Sequence, residues 1–217
     1  MLTEKNKNVN CKIGLVEFMI DIIWAFKRPF TDIKSLIIGM LINIFPLINI
    51  VAMGYSMSSS KNATLKGKLP EWGHNFFEYV KNGLVCLLLS IGVFIVLFVF
   101  FVLSMMGDNG IFIIPGIIIG IIALFFLPLE LTSYVKRKGI GKSDLFHSAL
   151  SKDYIISWIL WIIYTIVLLL IVVGISILVE LATDKTMAGI SIEILAGPLT
   201  FIGLLTGFAM FGQVKLK

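Results

Sequence analysis

Long apolar stretches separated by short polar segments are the dominant pattern along this chain. Four of them are apolar almost throughout, at residues 79–106, 111–134, 154–179 and 188–212. Each is long enough to cross the roughly 30 Å hydrocarbon core of a bilayer as one helix. Short connections rich in turn residues join the first to the second and the third to the fourth. The pattern therefore predicts an all-α, polytopic membrane protein with four transmembrane helices arranged as two hairpins.

A fifth apolar stretch, residues 33–55, is interrupted by Pro46 and by the polar residues Asn43 and Asn49. It fits either one kinked spanning helix or a re-entrant hairpin that is broken at Pro46 and returns to the side it came from. Backbone groups freed inside a bilayer need partners from the protein. The re-entrant form therefore predicts a hairpin buried against the four helices, in which both asparagines form hydrogen bonds to freed backbone groups.

The N-terminal segment, residues 1–32, is polar at first and then amphipathic. Glu17, Asp21 and Arg28 form a narrow polar stripe at helical spacing among apolar residues. This pattern predicts an amphipathic helix that lies in the membrane interface, with Trp24 as an anchor at headgroup level. A helix packed against the protein's own bundle fits the same pattern.

Composition agrees with insertion into lipid. Apolar residues make up 58% of the 217 residues, charged residues only 14%, and the mean hydropathy is +1.00. A soluble globule of this size has too little interior for so much apolar surface. We therefore expect residues 33–217 to form a single transmembrane domain.

The distribution of positive charge distinguishes the two topologies, because lysine and arginine in short loops stay in the cytoplasm. If residues 33–55 cross the membrane, the cations divide nearly evenly between the two sides. If they re-enter, every lysine and arginine except Lys185 lies on one side. We predict the re-entrant form, in the cytoplasmic membrane, with both termini cytoplasmic. The net charge of +5 then matches an anionic lipid surface, and nucleic acid is not an expected partner.

Glu130 is the ionisable residue whose position within a span most suggests a function. In one interpretation it lines a polar path together with the hairpin residues Asn43, Pro46 and Asn49. In the other it reaches the interface or pairs with a cation such as Lys136.

Two glycine pairs have the four-residue spacing that lets helices approach closely in lipid: Gly116 with Gly120, and Gly203 with Gly207. We interpret them as packing positions within the bundle. An interface between copies in a homo-oligomer is the alternative.

Catalytic and metal-binding patterns are missing from the sequence. His74 and His147 lack a second ligand at helical spacing, and Cys11 and Cys86 are too far apart for a metal motif. Neither a phosphate-binding glycine loop nor a Gly-x-Ser-x-Gly motif is present. The sequence predicts no enzyme, no metal and no cofactor.

Three short motifs carry a family resemblance: Arg-Pro-Phe at residues 28–30, Phe-Pro-Leu at 45–47 and Leu-Pro-Glu-Trp at 69–72. With them, the chain resembles a widespread archaeal and bacterial membrane family catalogued as domain of unknown function 4013, over nearly its whole length. That family has no established activity, so the resemblance implies no catalytic or binding residues. It does imply that Pro70 and Trp72 form a fixed element, which we interpret as an interfacial anchor.

Two functions of different classes fit these predictions. The first is a non-enzymatic protein that organises membrane lipid, or a protein partner that the sequence does not identify, at the cytoplasmic membrane through its basic face. The second is a small-solute or ion permease or channel, with its path lined by the Pro46 hairpin. A polar cavity in the membrane would favour the second function, and a close-packed interior would favour the first.

Overall fold

Every regular element in the described part of the chain is helical. The computed structural model describes residues 20–45, 48–63, 66–73, 75–106, 112–137, 145–182 and 185–216. The helices are α1 Ile22–Lys27, α2 Ile33–Ile44, α3 Asn49–Ser59, α4 Phe76–Met106, α5 Ile113–Arg137, α6 Leu145–Ala149, α7 Lys152–Ala182 and α8 Lys185–Phe211. Short 3₁₀ turns, Arg28–Thr31 and Ser60–Asn62, follow α1 and α3. The all-α class predicted from the sequence is confirmed.

Three helices among the described residues, α4, α5 and α7, are long and apolar enough to cross a membrane. Helix α4 has 31 residues, which corresponds to about 46 Å at 1.5 Å per residue. Large apolar side chains point away from the protein on all three: Phe94 is 66% exposed, Ile117 56% and Leu170 64%. Such surfaces are stable in lipid, so the predicted membrane character of the chain is confirmed at this level.

Each long helix extends past the apolar run that predicted it at one end at least. Helix α4 begins at Phe76 instead of residue 79, and α5 continues to Arg137 instead of residue 134. Lipid-facing composition ends where the side chains meet the interface, whereas backbone hydrogen bonding continues until a capping or turn residue ends it.

Two pairs of long helices, α4 with α5 and α7 with α8, pack antiparallel. On α5, Gly116 lies against Phe100 of α4, and Gly120 lies against Leu97. Moving forward along α5 therefore means moving backward along α4. The same holds for α7 and α8, where Gly203 lies against Leu168 and Gly207 lies against Trp161.

Helix α2 follows α8 in the opposite direction. Gly39 lies directly against the ring of Phe201, and the Asn43 amide Nδ2 donates a hydrogen bond of 2.6 Å to the carbonyl of Gly197. As α2 proceeds, its contacts thus move toward the beginning of α8.

Helix α3 returns along the same neighbour. Its Tyr55 ring lies 6.1 Å from the Phe201 ring, centroid to centroid, and the carbonyl of Ser60 at its end lies against Gly212. The chain therefore reverses direction between α2 and α3. Pro46, the predicted breaking point, lies outside the described residues.

Helix α1 packs on the bundle, where Ala25 is buried with Ala209 and Met210 of α8. Arg28 of the predicted polar stripe faces the protein, since its side chain is only 1% exposed. The residues before Ile20 that belonged to the predicted interfacial helix lie outside the described part of the chain.

Candidate functional site

One end of the bundle brings together segments that are far apart in sequence. The Lys136 ammonium, at the end of α5, donates hydrogen bonds to the carbonyls of Gly212 and Val214, at 2.6 and 3.1 Å. The Asp21 amide donates to Oε1 of Gln213 at 2.8 Å. The segment after α8 therefore joins the beginning of α1 and the end of α5.

This end also holds most of the positive charge of the described residues, and we call it the cationic end. Lys185 begins α8 at its opposite terminus. The cationic end is defined by these side chains, which belong to segments that start or stop there: Lys27, Arg28, Lys34, Lys61, Lys66, Lys68, Lys81, Lys136, Arg137, Lys152 and Lys215.

Arg28 is the buried member of this group. Its Nη2 donates a 2.5 Å hydrogen bond to the carbonyl of Ser59 at the end of α3, and its guanidinium lies 4.8 Å from the centre of the Trp24 ring. Nε and Nη1 are buried without a hydrogen-bond partner in the described structure. Burial lowers the pKa of Arg28 to about 10, so the side chain stays charged at neutral pH.

The local sequence holds Arg28 in this place. Pro29, which fixes its own backbone φ, occupies the first turn of the 3₁₀ helix, where no amide hydrogen is required. The Thr31 hydroxyl donates to the Arg28 carbonyl at 2.7 Å. Asp32 then caps α2, accepting hydrogen bonds from the Ser35 amide and hydroxyl at 3.2 and 2.7 Å. These hydrogen bonds lower the pKa of the Asp32 carboxyl.

A cavity of about 400 Å³ adjoins Arg28 at the cationic end. Its charged lining residues are Arg28, Asp32, Lys66, Lys68 and Glu71, and Trp24 forms part of its wall.

Lys66 reaches this cavity from an unusual backbone position. Its φ is 51°, in the left-handed region that non-glycine residues rarely occupy. Its ammonium forms a 2.6 Å ion pair with Asp21. The hydrogen bond from Lys66 is the main reason that the pKa of Asp21 lies below its ordinary value.

The Leu-Pro-Glu-Trp element is fixed by aromatic packing beside this cavity. The Trp72 ring stacks on Tyr55 with centroids 3.9 Å apart and planes 3° from parallel. The indole nitrogen donates to the Ser35 carbonyl at 3.0 Å. The Tyr55 hydroxyl donates to the Pro70 carbonyl at 2.9 Å, and the Tyr79 hydroxyl donates to the Glu71 carbonyl at 2.8 Å. The element thus ties α2, α3 and α4 together, while its role as an interfacial anchor remains a prediction.

The predicted polar path residues have separate surroundings. Asn43 is buried against α8, and Asn49 is half-buried with its Oδ1 enclosed. Glu130 is half-buried on α5 between the buried residues Leu129 and Leu131.

A cavity of about 140 Å³ inside the bundle is lined mainly by apolar side chains, together with Cys86 and Ser90. Asn43, Asn49 and Glu130 are not among its lining residues.

All four predicted packing glycines lie against side chains of a neighbouring helix, whereas two other glycines lie directly against the backbone of one. A Cβ atom at Gly54 on α3 would overlap the carbonyl oxygen of Tyr79, and one at Gly83 on α4 would overlap the carbonyl of Ile50. The spacing rule missed this pair because the two glycines face each other from different helices. No periodicity within either helix marks such an arrangement.

Comparison with known proteins identifies a family. A family model described as "Protein of unknown function (DUF4013)" matches residues 37–181, from α2 through α7, which is about two thirds of the chain. Neither the curated proteins nor the solved structures contain a significant match. The matched region includes the Leu-Pro-Glu-Trp element, as the resemblance predicted. The chain belongs to the DUF4013 family.

Proposed function

We propose that this protein is a non-enzymatic component of the prokaryotic cytoplasmic membrane that organises anionic lipid at the cytoplasmic leaflet. In this proposal α4, α5, α7 and α8 cross the bilayer, and α2 and α3 form a re-entrant hairpin. The observation that carries it is the collection of described cations at one end of an apolar helix bundle. Each lysine or arginine near an anionic leaflet contributes about 1 kcal/mol of attraction.

The geometry of the hairpin supports re-entry. Asn43 near its tip contacts Gly197, which is 14 positions before the end of α8 at Phe211. This distance corresponds to about 21 Å of helix, less than the roughly 30 Å hydrocarbon thickness. A segment that reaches this depth and then turns back keeps both of its ends, and their cations, on one side.

Sidedness is tested with single cysteines in a background without Cys11 and Cys86. Gly73 is exposed, and a Cβ there meets nothing within 4 Å, so Gly73→Cys is expected to fold normally. A membrane-impermeant thiol reagent should label it only after the cells are opened. The matched control, Asn109→Cys between α4 and α5, should be labelled in intact cells. Labelling of Gly73→Cys in intact cells would refute the topology.

Lipid preference is tested by tryptophan quenching in reconstituted vesicles that contain either brominated phosphatidylglycerol or brominated phosphatidylcholine. The phosphatidylglycerol should associate several-fold more strongly in low salt. The preference should shrink as the Debye length falls from about 30 Å at 0.01 M salt to about 3 Å at 1 M. Equal quenching by the two lipids at every salt concentration would exclude the proposed function.

The permease alternative requires a polar path through the bundle. The cavity of about 140 Å³ and a larger cavity of about 490 Å³ between α7 and α8 are both lined mainly by apolar side chains, which supports the lipid role instead. If vesicles that contain the protein pass small ions faster than empty vesicles do, and Glu130→Gln abolishes this flux, the permease function replaces our proposal.

A further inference from the structure

Arg28 presents a buried charge that has no counter-ion among the described residues. Its side chain is 1% exposed, and no carboxylate of the described residues forms an ion pair with it. The carbonyl of Ser59 and the face of Trp24 provide favourable but uncharged contacts. Burying a cation in this way is unfavourable unless an anion approaches it. The position therefore needs a negative group that the described residues do not supply.

The cavity beside Arg28 offers room for such a group. Its volume of about 400 Å³ is in the range of pockets that hold small ligands. Lys68 lines it with an exposed side chain, and its ammonium forms no ion pair within the described structure. A ligand that enters from the membrane surface therefore meets Lys68 first, with the poorly screened charge of Arg28 behind it.

The other charged groups of the lining limit what the ligand is. Lys66 is already paired with Asp21, and both carboxylate oxygens of Asp32 accept hydrogen bonds from Ser35. Glu71 also lines the cavity. With two carboxylates nearby, the site suits a group of low negative charge, such as a phosphate diester.

We propose that the cavity lined by Arg28 and Lys68 binds a phosphate group, carried by a lipid headgroup or free in solution. Arginine and lysine are the side chains that most often bind phosphate in proteins. Trp24 lines the same cavity, and tryptophan is enriched at the depth of lipid headgroups. This inference rests on the proposed function, since it assigns one specific site within the cationic end.

The test uses the full-length protein in a non-ionic detergent. Dioctanoyl phosphatidylglycerol, dioctanoylglycerol without a phosphate, and inorganic phosphate are each titrated, and binding is followed by thermal stabilisation and tryptophan fluorescence. The phosphatidylglycerol should bind with saturation, and dioctanoylglycerol should not. Competition by inorganic phosphate would assign the site to free phosphate. Lipid binding without such competition would assign it to a headgroup.

Three variants locate the site. Arg28→Met removes the charge while keeping an apolar stem and should raise the Kd at least tenfold. Lys68→Gln changes an exposed side chain, so folding is not at risk, and it should raise the Kd about threefold to tenfold. Lys152→Gln removes an exposed cation of the same end that does not line the cavity, and it should leave the Kd within twofold.

The outcomes separate this site from the proposed function. If Arg28→Met and Lys68→Gln both bind with the wild-type Kd, or if neither phosphatidylglycerol nor phosphate binds, the site proposal is overturned. The preference for anionic lipid measured by quenching can still hold in that case. If the quenching preference is missing but the variants weaken phosphate binding, the site stands and the wider lipid role fails.

Discussion

Adding one methyl group at Gly54 should separate α3 from α4. The new Cβ would overlap the carbonyl oxygen of Tyr79 and would lie 2.6 Å from the amide nitrogen of Gly83, whereas ordinary contacts begin near 3.4 Å. Because the obstructing atoms belong to the backbone, a rotamer change cannot relieve the overlap, and the helices must move apart by at least about 0.8 Å. Overpacking of this kind costs about 1–3 kcal/mol. We expect Gly54→Ala to reach the upper part of that range.

The control is a helical glycine at which an added Cβ would meet no other atom. A Cβ at Gly92 of α4 meets no atom within 4 Å, so Gly92→Ala should gain the helix propensity of alanine, up to about 1 kcal/mol. Thermal unfolding in detergent, followed by circular dichroism at 222 nm, should therefore show a lower Tm for Gly54→Ala and an unchanged or higher Tm for Gly92→Ala.

Gly83→Ala provides an internal check on this crossing. It should destabilise the protein as Gly54→Ala does, since its Cβ would overlap the backbone of Ile50. Once one substitution has moved the helices apart, the second should cost less, so the double variant should lose less stability than the sum of the two. If Gly54→Ala and Gly92→Ala unfold at the same temperature, the close approach of α3 and α4 is not real.

Three smaller changes examine the contacts around the hairpin and the cationic end. Asn43→Ala removes the side-chain hydrogen bond to the Gly197 carbonyl, so unfolding should become easier by about 0.5–1.5 kcal/mol; a wild-type Tm would contradict docking on α8. Trp72→Phe keeps an aromatic ring but loses the donor to an α2 carbonyl, for an expected loss of about 0.5–1.5 kcal/mol in the same assay. Asp21 has a lowered pKa because Lys66 donates to it, so its contribution to stability is complete above its unfolded pKa and is lost as the pH falls through the folded value. Asp21→Asn should therefore flatten the fall in Tm below about pH 4, measured against wild type at matched salt; an identical acid profile would show that the ion pair does not contribute.

The sequence predicts those features that follow from local pattern. The long helices follow from unbroken apolar runs, because every side chain that is exposed to lipid has to be apolar. The chain reverses direction between α2 and α3, as a re-entrant hairpin requires. That hairpin was predicted from the distribution of charge, which depends on topology and not on packing. The Leu-Pro-Glu-Trp element carries part of the family resemblance, and its residues have fixed places in the structure, such as Trp72 on Tyr55.

Features that depend on distant partners were not predictable. Arg28 shares helical spacing with Asp21, and its burial involves distant residues such as Ser59, 31 residues further along. Similarly, the close crossing of α3 and α4 depends on Gly54 and Gly83 facing each other, and neither glycine belongs to a spaced pair in its own helix. In both cases the role of the residue depends on tertiary contacts, and the local sequence pattern does not predict it.

The docking of α2 and α3 on α8 has a consequence for biosynthesis. Asn43 and Gly197 are separated by 154 residues, so at roughly 5–20 residues per second the ribosome needs about 8–30 s to make the partner surface after the hairpin has emerged. During this interval α2 lacks its partner helix α8, and the Asn43 amide depends on the insertion machinery or on water. Nascent chains shortened before residue 197 should therefore be more sensitive to proteases at the N-terminal hairpin than completed chains.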